Sequence, residues 1–208
     1  MSSVPVRSPE EGAGMRDAQG RRITYLRVSV TDRCNFRCLY CMPADGLAWL
    51  PKAEILSYEE IAEIVRQLQP LGIRRLRVSG GEPTIRPNIE VLFRLLKAIP
   101  GIEDVALSTN GVRLAQGAQG WRDAGLDRVN LSVDSLRPAR LIAIARRDLG
   151  LDPVAAALAA ERAGLEPVKI NTVVMRGIND DEIEDLARLT LDHPWHVRFV
   201  ELMPVGEM

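Results

Sequence analysis

Short β-type runs recur along the chain at residues 25–31, 74–79, 104–109, 128–133, 167–174 and 196–202, and several of them alternate strictly between apolar and polar residues. In the first, Leu26, Val28 and Val30 oppose Arg27, Ser29 and Thr31; in the second, Leu76 and Val78 oppose Arg75, Arg77 and Ser79. The fourth sets Val129, Leu131 and Val133 against Asn130, Ser132 and Asp134, and the fifth sets Val168 and Ile170 against Lys169 and Asn171. A period of two places these sets on opposite faces of a strand. Between the strands the period changes to that of a helix. Ser57 and Glu60 form a capping box ahead of Ile61, Ile64, Val65 and Leu68, spaced i, i+3, i+4 and i+7 on one face. Leu92, Leu95, Leu96 and Ile99 repeat that spacing after Pro87 and Asn88, and further helices are predicted over 114–124, 153–163 and 180–191. The first of these three is weakened by Gly117 and Gly120.

Six strand–helix repeats imply an α/β fold with a parallel sheet and right-handed crossovers, either doubly wound or barrel-like. Parallel strands covered on both faces read as nearly continuous apolar runs, whereas several of these strands alternate. One face packs on helices; the other carries Arg27, Arg77 and Lys169, which is costly unless those charges meet a ligand or counter-charges. The pattern predicts a curved sheet around a hydrophilic lumen. A complete eightfold barrel fills its interior with apolar layers and takes about 250 residues, so 208 residues fit an incomplete (β/α)6 barrel with a lateral opening. Ligands are expected at the carboxyl ends of its strands. Residues 1–20 are small, polar and aperiodic, and read as a flexible arm ahead of one barrel domain over 21–208.

Composition narrows the function classes. The chain is 46% hydrophobic and 26% charged with a net charge of −1, which excludes disorder as the main state and argues against bulk electrostatic binding of nucleic acid or membrane. No run approaches the roughly 18–20 apolar residues of a membrane-spanning helix, and the N-terminus lacks the basic-then-apolar layout of a signal peptide. The expected address is cytoplasmic. The 27 basic residues include only Lys52, Lys97 and Lys169, so the rest are arginines, the better partner for phosphate and carboxylate.

All three cysteines, Cys34, Cys38 and Cys41, lie in one C-x3-C-x2-C loop after the first strand, which rules out a disulfide framework. Three thiolates can surround a metal centre but fall one ligand short of a closed zinc site or a ferredoxin-type cluster. The only histidines are His193 and His196, far along the chain. An open coordination position suits a small molecule that must bind one iron directly. On the residues alone, cysteines acting as small buried hydrophobes and a zinc completed by a remote histidine remain open. The charged runs 146–148 and 180–182 read as solvated faces or caps, and His193 before Pro194 as part of a turn.

The cysteine spacing with Tyr40 before the last cysteine, followed by Gly80-Gly81-Glu82-Pro83 after the second strand, resembles the radical S-adenosylmethionine superfamily. The run YLRVSVTDRCNFRCLYCMP over 25–43 is similar, more narrowly, to the GTP 3',8-cyclase family of molybdenum cofactor biosynthesis. The resemblance continues through RVSGGEP at 77–83, STNG at 108–111, NLSVDSL at 130–136, KINTVVMRG at 169–177 and ELMP at 201–204. It implies a partial barrel of the radical S-adenosylmethionine type, with Cys34, Cys38 and Cys41 each on one iron of a [4Fe-4S] cluster. The fourth iron is left to chelate S-adenosyl-L-methionine, whose reductive cleavage gives a 5'-deoxyadenosyl radical. It further implies contacts to S-adenosylmethionine from Tyr40, Gly81, Ser132 and Met203, and to GTP from Arg27, Arg77, Ser108 and Lys169. Glycine at 80 and 81 would let the backbone approach the methionine moiety. The implied reaction abstracts the ribose 3' hydrogen, after which C3' attacks guanine C8.

Implied partners are GTP, a reductant, a downstream pterin-synthesis enzyme and a second copy of the chain. Members of the family carry a second [4Fe-4S] cluster on three later cysteines and a C-terminal Gly-Gly; neither is in this sequence. The chain is therefore expected to bind S-adenosylmethionine but to cyclise GTP poorly without that portion. Two alternatives stand beside this reading: another radical enzyme, acting on a peptide or small molecule, and a non-catalytic iron–sulfur or zinc module.

Overall fold

The computed structural model describes residues 14–203. Six parallel strands form one sheet in the order of the chain: β1 (Tyr25–Ser29), β2 (Arg75–Ser79), β3 (Asp104–Thr109), β4 (Arg128–Ser132), β5 (Lys169–Val174) and β6 (His196–Glu201). Helices α1 (Tyr58–Leu68), α2 (Ile89–Lys97), α3 (Leu114–Asp123), α4 (Pro138–Ala145), α5 (Pro153–Arg162) and α6 (Ile183–Asp192) occupy the connections. A strand order that never reverses, joined by crossovers of one hand, puts the helices on one face. Among the described residues β1 and β6 each have a strand neighbour on one side, so the sheet is open.

The apolar parity packs as expected. Leu76, Val78, Val105, Leu107, Val129, Leu131 and Ile170 are almost wholly buried and meet Leu92, Phe93 and Leu96 of α2, Trp121 of α3 and the alanines of α5. Burying each large side chain contributes roughly 1.5–3 kcal/mol. The capping box at α1 is formed in both directions: Glu60 N donates to Ser57 Oγ, and Ser57 N to Glu60 Oε2. α3 runs through Gly117 because a side chain there would strike the Trp121 ring.

Three features depart from the sequence reading. α4 was not expected; Pro138 at its first turn and buried Leu141, Ile144 and Ala145 are its signals, too short for a periodic pattern to stand out. In the run 180–182, Asp180 and Asp181 are exposed and Glu182 caps α6 as expected, but Glu182 is not solvated: it is buried, accepting from Ser135 Oγ at 2.7 Å and Leu136 N at 2.8 Å and pairing with Arg140. Of the stretch read as an arm, residues 1–13 lie outside the described residues, whereas residues 14–20 are folded. Met15 N donates to Leu71 O, Arg16 bridges Arg22, and Asp17 closes the turn by accepting from Gln19 N and Arg21 N.

Registers fix what shares the polar face. Arg27 lies beside Arg77, Arg77 beside Ala106, Ala106 beside Arg128, and Ser108 beside Asn130, itself beside Lys169. Residues from β1 to β5 line a single cavity of about 340 Å³ at the carboxyl ends, which requires the sheet to curve around it.

Candidate active site

The cysteine loop is held from below, behind and beside. Arg37 N and Leu39 N donate to the last carbonyls of α4, Ala145 and Ile144, at 2.8 and 3.0 Å. The Arg37 guanidinium folds back onto Cys34 O and Phe36 O and lies over the Trp49 ring. Asn35 Oδ1 accepts from Asn110 Nδ2 at 2.7 Å, joining the loop to the end of β3. The helix invisible in the sequence is thus a support of the most conspicuous motif.

Gly80 and Gly81 have a reason in this chain's own backbone. Gly80 has φ 149°, and a Cβ there would lie 2.5 Å from Thr31 O; one on Gly81 would lie 2.3 Å from Arg33 O. Gly81 N and Glu82 N donate to Thr31 O and Arg33 O, both at 2.8 Å. The glycines therefore admit the start of the cysteine loop against the end of β2. Glu82 then stitches the next strand: its buried carboxylate accepts from Thr84 N and Oγ1, Thr109 Oγ1 and Asn110 N, at 2.6–3.0 Å. Four donors satisfy a charge that would otherwise be costly to bury.

The sulfurs open into the cavity together with Tyr40, Gly81, Glu82, Arg27, Ser108, Ser132 and Asp134. Burial pushes the Cys34 thiol up; burial, then the nearby Asp134 charge, pushes Cys38 up to about 12. Thiols so placed stay protonated at neutral pH unless a metal replaces the proton. Among the described residues no three His, Cys, Asp or Glu side chains converge on a single ion. His193 and His196 do not complete a site with the cysteines: His196 opens β6 beside Lys169, at the strand starts, and His193 stacks on Trp195 with ring centroids 4.0 Å apart.

Asp134, not singled out from sequence, ties the site to β5. Tyr40 Oη donates to its Oδ2 at 2.7 Å and Val173 N to its Oδ1 at 2.9 Å. Burial raises the Asp134 carboxyl, and burial followed by Asp134 raises the Tyr40 phenol. Polar parity at the end of β4 was its one sequence signal.

The cations occupy the same face. Arg27 Nε donates to Ser79 Oγ at 2.9 Å. Arg77 sits over the Tyr25 ring and reaches Asn130 Oδ1 at 3.4 Å. Lys169 is held below the usual lysine range by burial, then by Arg128, Arg198 and Arg77. Arg77 and Lys169 lie on the lumen strands but outside the residues that line the cavity. Met203 is 67% exposed beyond β6 and does not line the cavity either; Pro204 of the ELMP run lies outside the described residues.

A profile of the Radical SAM superfamily matches residues 28–190. The chain is 52% identical over 193 residues to a GTP 3',8-cyclase of Heliobacterium modesticaldum and 48% identical over 192 residues to one of Pelotomaculum thermopropionicum. These alignments cover 93% and 92% of the chain but 59% of each relative, so it spans about three-fifths of the length of the curated relatives it matches. Among solved structures, Streptococcus suis SuiB bound to S-adenosylmethionine superposes with a TM-score of 0.65 at 16% identity, covering 89% of this chain and 40% of that one. Methylornithine synthase does so with a TM-score of 0.65 at 18% identity, covering 88% and 54%. At such identities the likeness concerns the fold: an open α/β sheet of the same kind.

Proposed function

The chain belongs to the radical S-adenosylmethionine superfamily, and from that premise we propose that it acts on GTP as a 3',8-cyclase, a lyase step at the head of molybdenum cofactor synthesis. The observation that carries this reading is the opening of three thiols and Arg27 into one cavity, at the end of a strand face that also carries Arg77 and Lys169. A cluster bound there would supply the electron that cleaves the sulfonium of S-adenosylmethionine. Cys34, Cys38 and Cys41 would hold it, and three ligands leave one iron free for a small molecule. Tyr40, Gly81 and Ser132 line the space beside the thiols and are the contacts proposed for S-adenosylmethionine. Met203 is a weaker member of that set, being exposed on the chain after β6.

Arg27, Arg77, Ser108 and Lys169 are the proposed GTP contacts. Fixed cations in a partly dry lumen bind a triphosphate more strongly than the same charges in water. Burial, and after it the neighbouring arginines, lowers the Lys169 ammonium, and a phosphate would relieve the repulsion among these cations. The protein's part in the chemistry is orientation and exclusion of water. A reductant is required; a downstream pterin-synthesis enzyme and a second copy are further proposed partners, and the proposed address is cytoplasmic.

The test is anaerobic reconstitution with iron and sulfide, then reduction with S-adenosylmethionine in the presence and absence of GTP. The expected result is about four irons and four sulfides per chain and release of deoxyadenosine. Bound zinc without sulfide, or no cleavage under strong reductant, overturns the radical reading. Cleavage that ignores GTP and nucleotide-free turnover of a peptide would overturn the nucleotide assignment alone.

A further inference from the structure

Among the described strand residues on the lumen parity, Asp104 is the single acid facing Arg27, Arg75, Arg77, Arg128, Lys169 and Arg198. Asp104 is already engaged: Arg128 Nε donates to its Oδ1 at 2.8 Å and Arg128 Nη2 to its Oδ2 at 2.5 Å. This two-pronged pair fixes the guanidinium plane and leaves Nη1 over. Arg128 Nη1 is buried with no hydrogen-bond partner among the described residues, and so is Arg77 Nε. The two arginines flank Ala106, one on each neighbouring strand, so their backbones stand roughly 10 Å apart across two strand spacings. Ala106 places only a methyl group between them.

A buried donor without an acceptor is costly, and here two such donors belong to like-charged groups on either side of the smallest residue of the layer. A phosphate oxyanion answers both deficits, because guanidinium N–H groups bind it with charge-assisted bonds in fixed geometry. We infer that Arg128 is a further phosphate-binding residue, sharing one oxyanion of the nucleotide with Arg77 across Ala106, and that Asp104 is the residue that positions it. This deepens the nucleotide reading and rests on it. The lowered ammonium of Lys169, to which Arg128 contributes more than any other single charge, agrees with an anion seated within reach of all three.

Equilibrium binding of GTP, GDP and GMP to the chain, compared with Arg128→Lys, Arg128→Met, Asp104→Ala and Asp104→Asn, tests it. Arg128→Met is expected to weaken GTP by about tenfold, with the loss shrinking as phosphates are removed. Arg128→Lys keeps a charge for Asp104 but lacks Nη1, and should lose GTP in the same graded way; it serves as the measure if the methionine variant does not fold. Asp104→Ala should lose GTP, and Asp104→Asn, which keeps an oxygen for Nε, should recover most of it. A loss equal for all three nucleotides, or GTP affinity within twofold of the parent in both Arg128 variants, overturns the inference and leaves the nucleotide reading standing. An unsubstituted chain that binds none of the nucleotides brings down both. Full affinity in Asp104→Ala overturns the positioning role.

Discussion

Tyr40 and Asp134, 94 residues apart in sequence, meet through a 2.7 Å hydrogen bond at the mouth of the lumen. That bond joins the cysteine loop to the ends of β4 and β5, because the other oxygen of Asp134 holds Val173 N. The buried carboxylate depends on its two donors, and removing one leaves a charge that neither water nor protein satisfies.

Tyr40→Phe is therefore expected to destabilise the apo chain by about 1–3 kcal/mol, read as a lower urea midpoint at constant slope. Asp134→Asn, which can keep its oxygen on Val173 N and donate Nδ2 to the Tyr40 oxygen, should cost less. Equal stability of Tyr40→Phe and the parent would show the bond to be energetically idle.

Gly81→Ala places a methyl group 2.3 Å from Arg33 O, a backbone atom that cannot swing aside. The cysteine loop must move, and the expected outcome is a stability loss of at least ~2 kcal/mol with less than half the parental iron content after reconstitution. Parental iron content would mean that the close approach of β2 to the loop does not govern cluster assembly.

Ile144 is 1% exposed, lines the cavity, and its carbonyl holds Leu39 N. Ile144→Ala should cost about 2–5 kcal/mol and also slow cluster uptake. Ile73→Ala, equally buried but part of the core, should cost as much without affecting uptake. Matching uptake rates for the two variants would deny α4 its role as support of the thiols.

Lys169 yields a pH prediction with a definite sign. Its folded value lies below the 10.5 of an ordinary lysine, so between the two the unfolded chain binds the extra proton. Stability contributed by this site rises with pH through that window, and the cost of the charge is fully present below it. Lys169→Met should stabilise the apo chain near neutral pH, by a degree or two in Tm, flatten its alkaline stability profile, and weaken GTP binding. Destabilisation at pH 7 would contradict the repulsion among Lys169, Arg128, Arg198 and Arg77.

Much of the architecture was legible because alternation in a strand is a local property: Leu76 and Val78 against Arg75 and Arg77 reveal a polar face without knowledge of neighbours. The thiols were legible because their spacing is local too. α4 was not, since its eight residues carry too little periodicity; nor was the burial of Glu182, which depends on Ser135 and Arg140 arriving from elsewhere in the chain.

What the sequence by itself determined is therefore the set of elements, their two-faced character and the three-thiol motif, all products of short-range spacing. Tertiary structure decided which charges act together. Only the strand register brings Arg77, Ala106 and Arg128 side by side and puts Asn130 next to Lys169, and only packing sets Asp104 on Arg128 and Asp134 on Tyr40. Coulomb energies and hydrogen bonds depend on distance in space, and the chain order carries no measure of that distance until the sheet has curved.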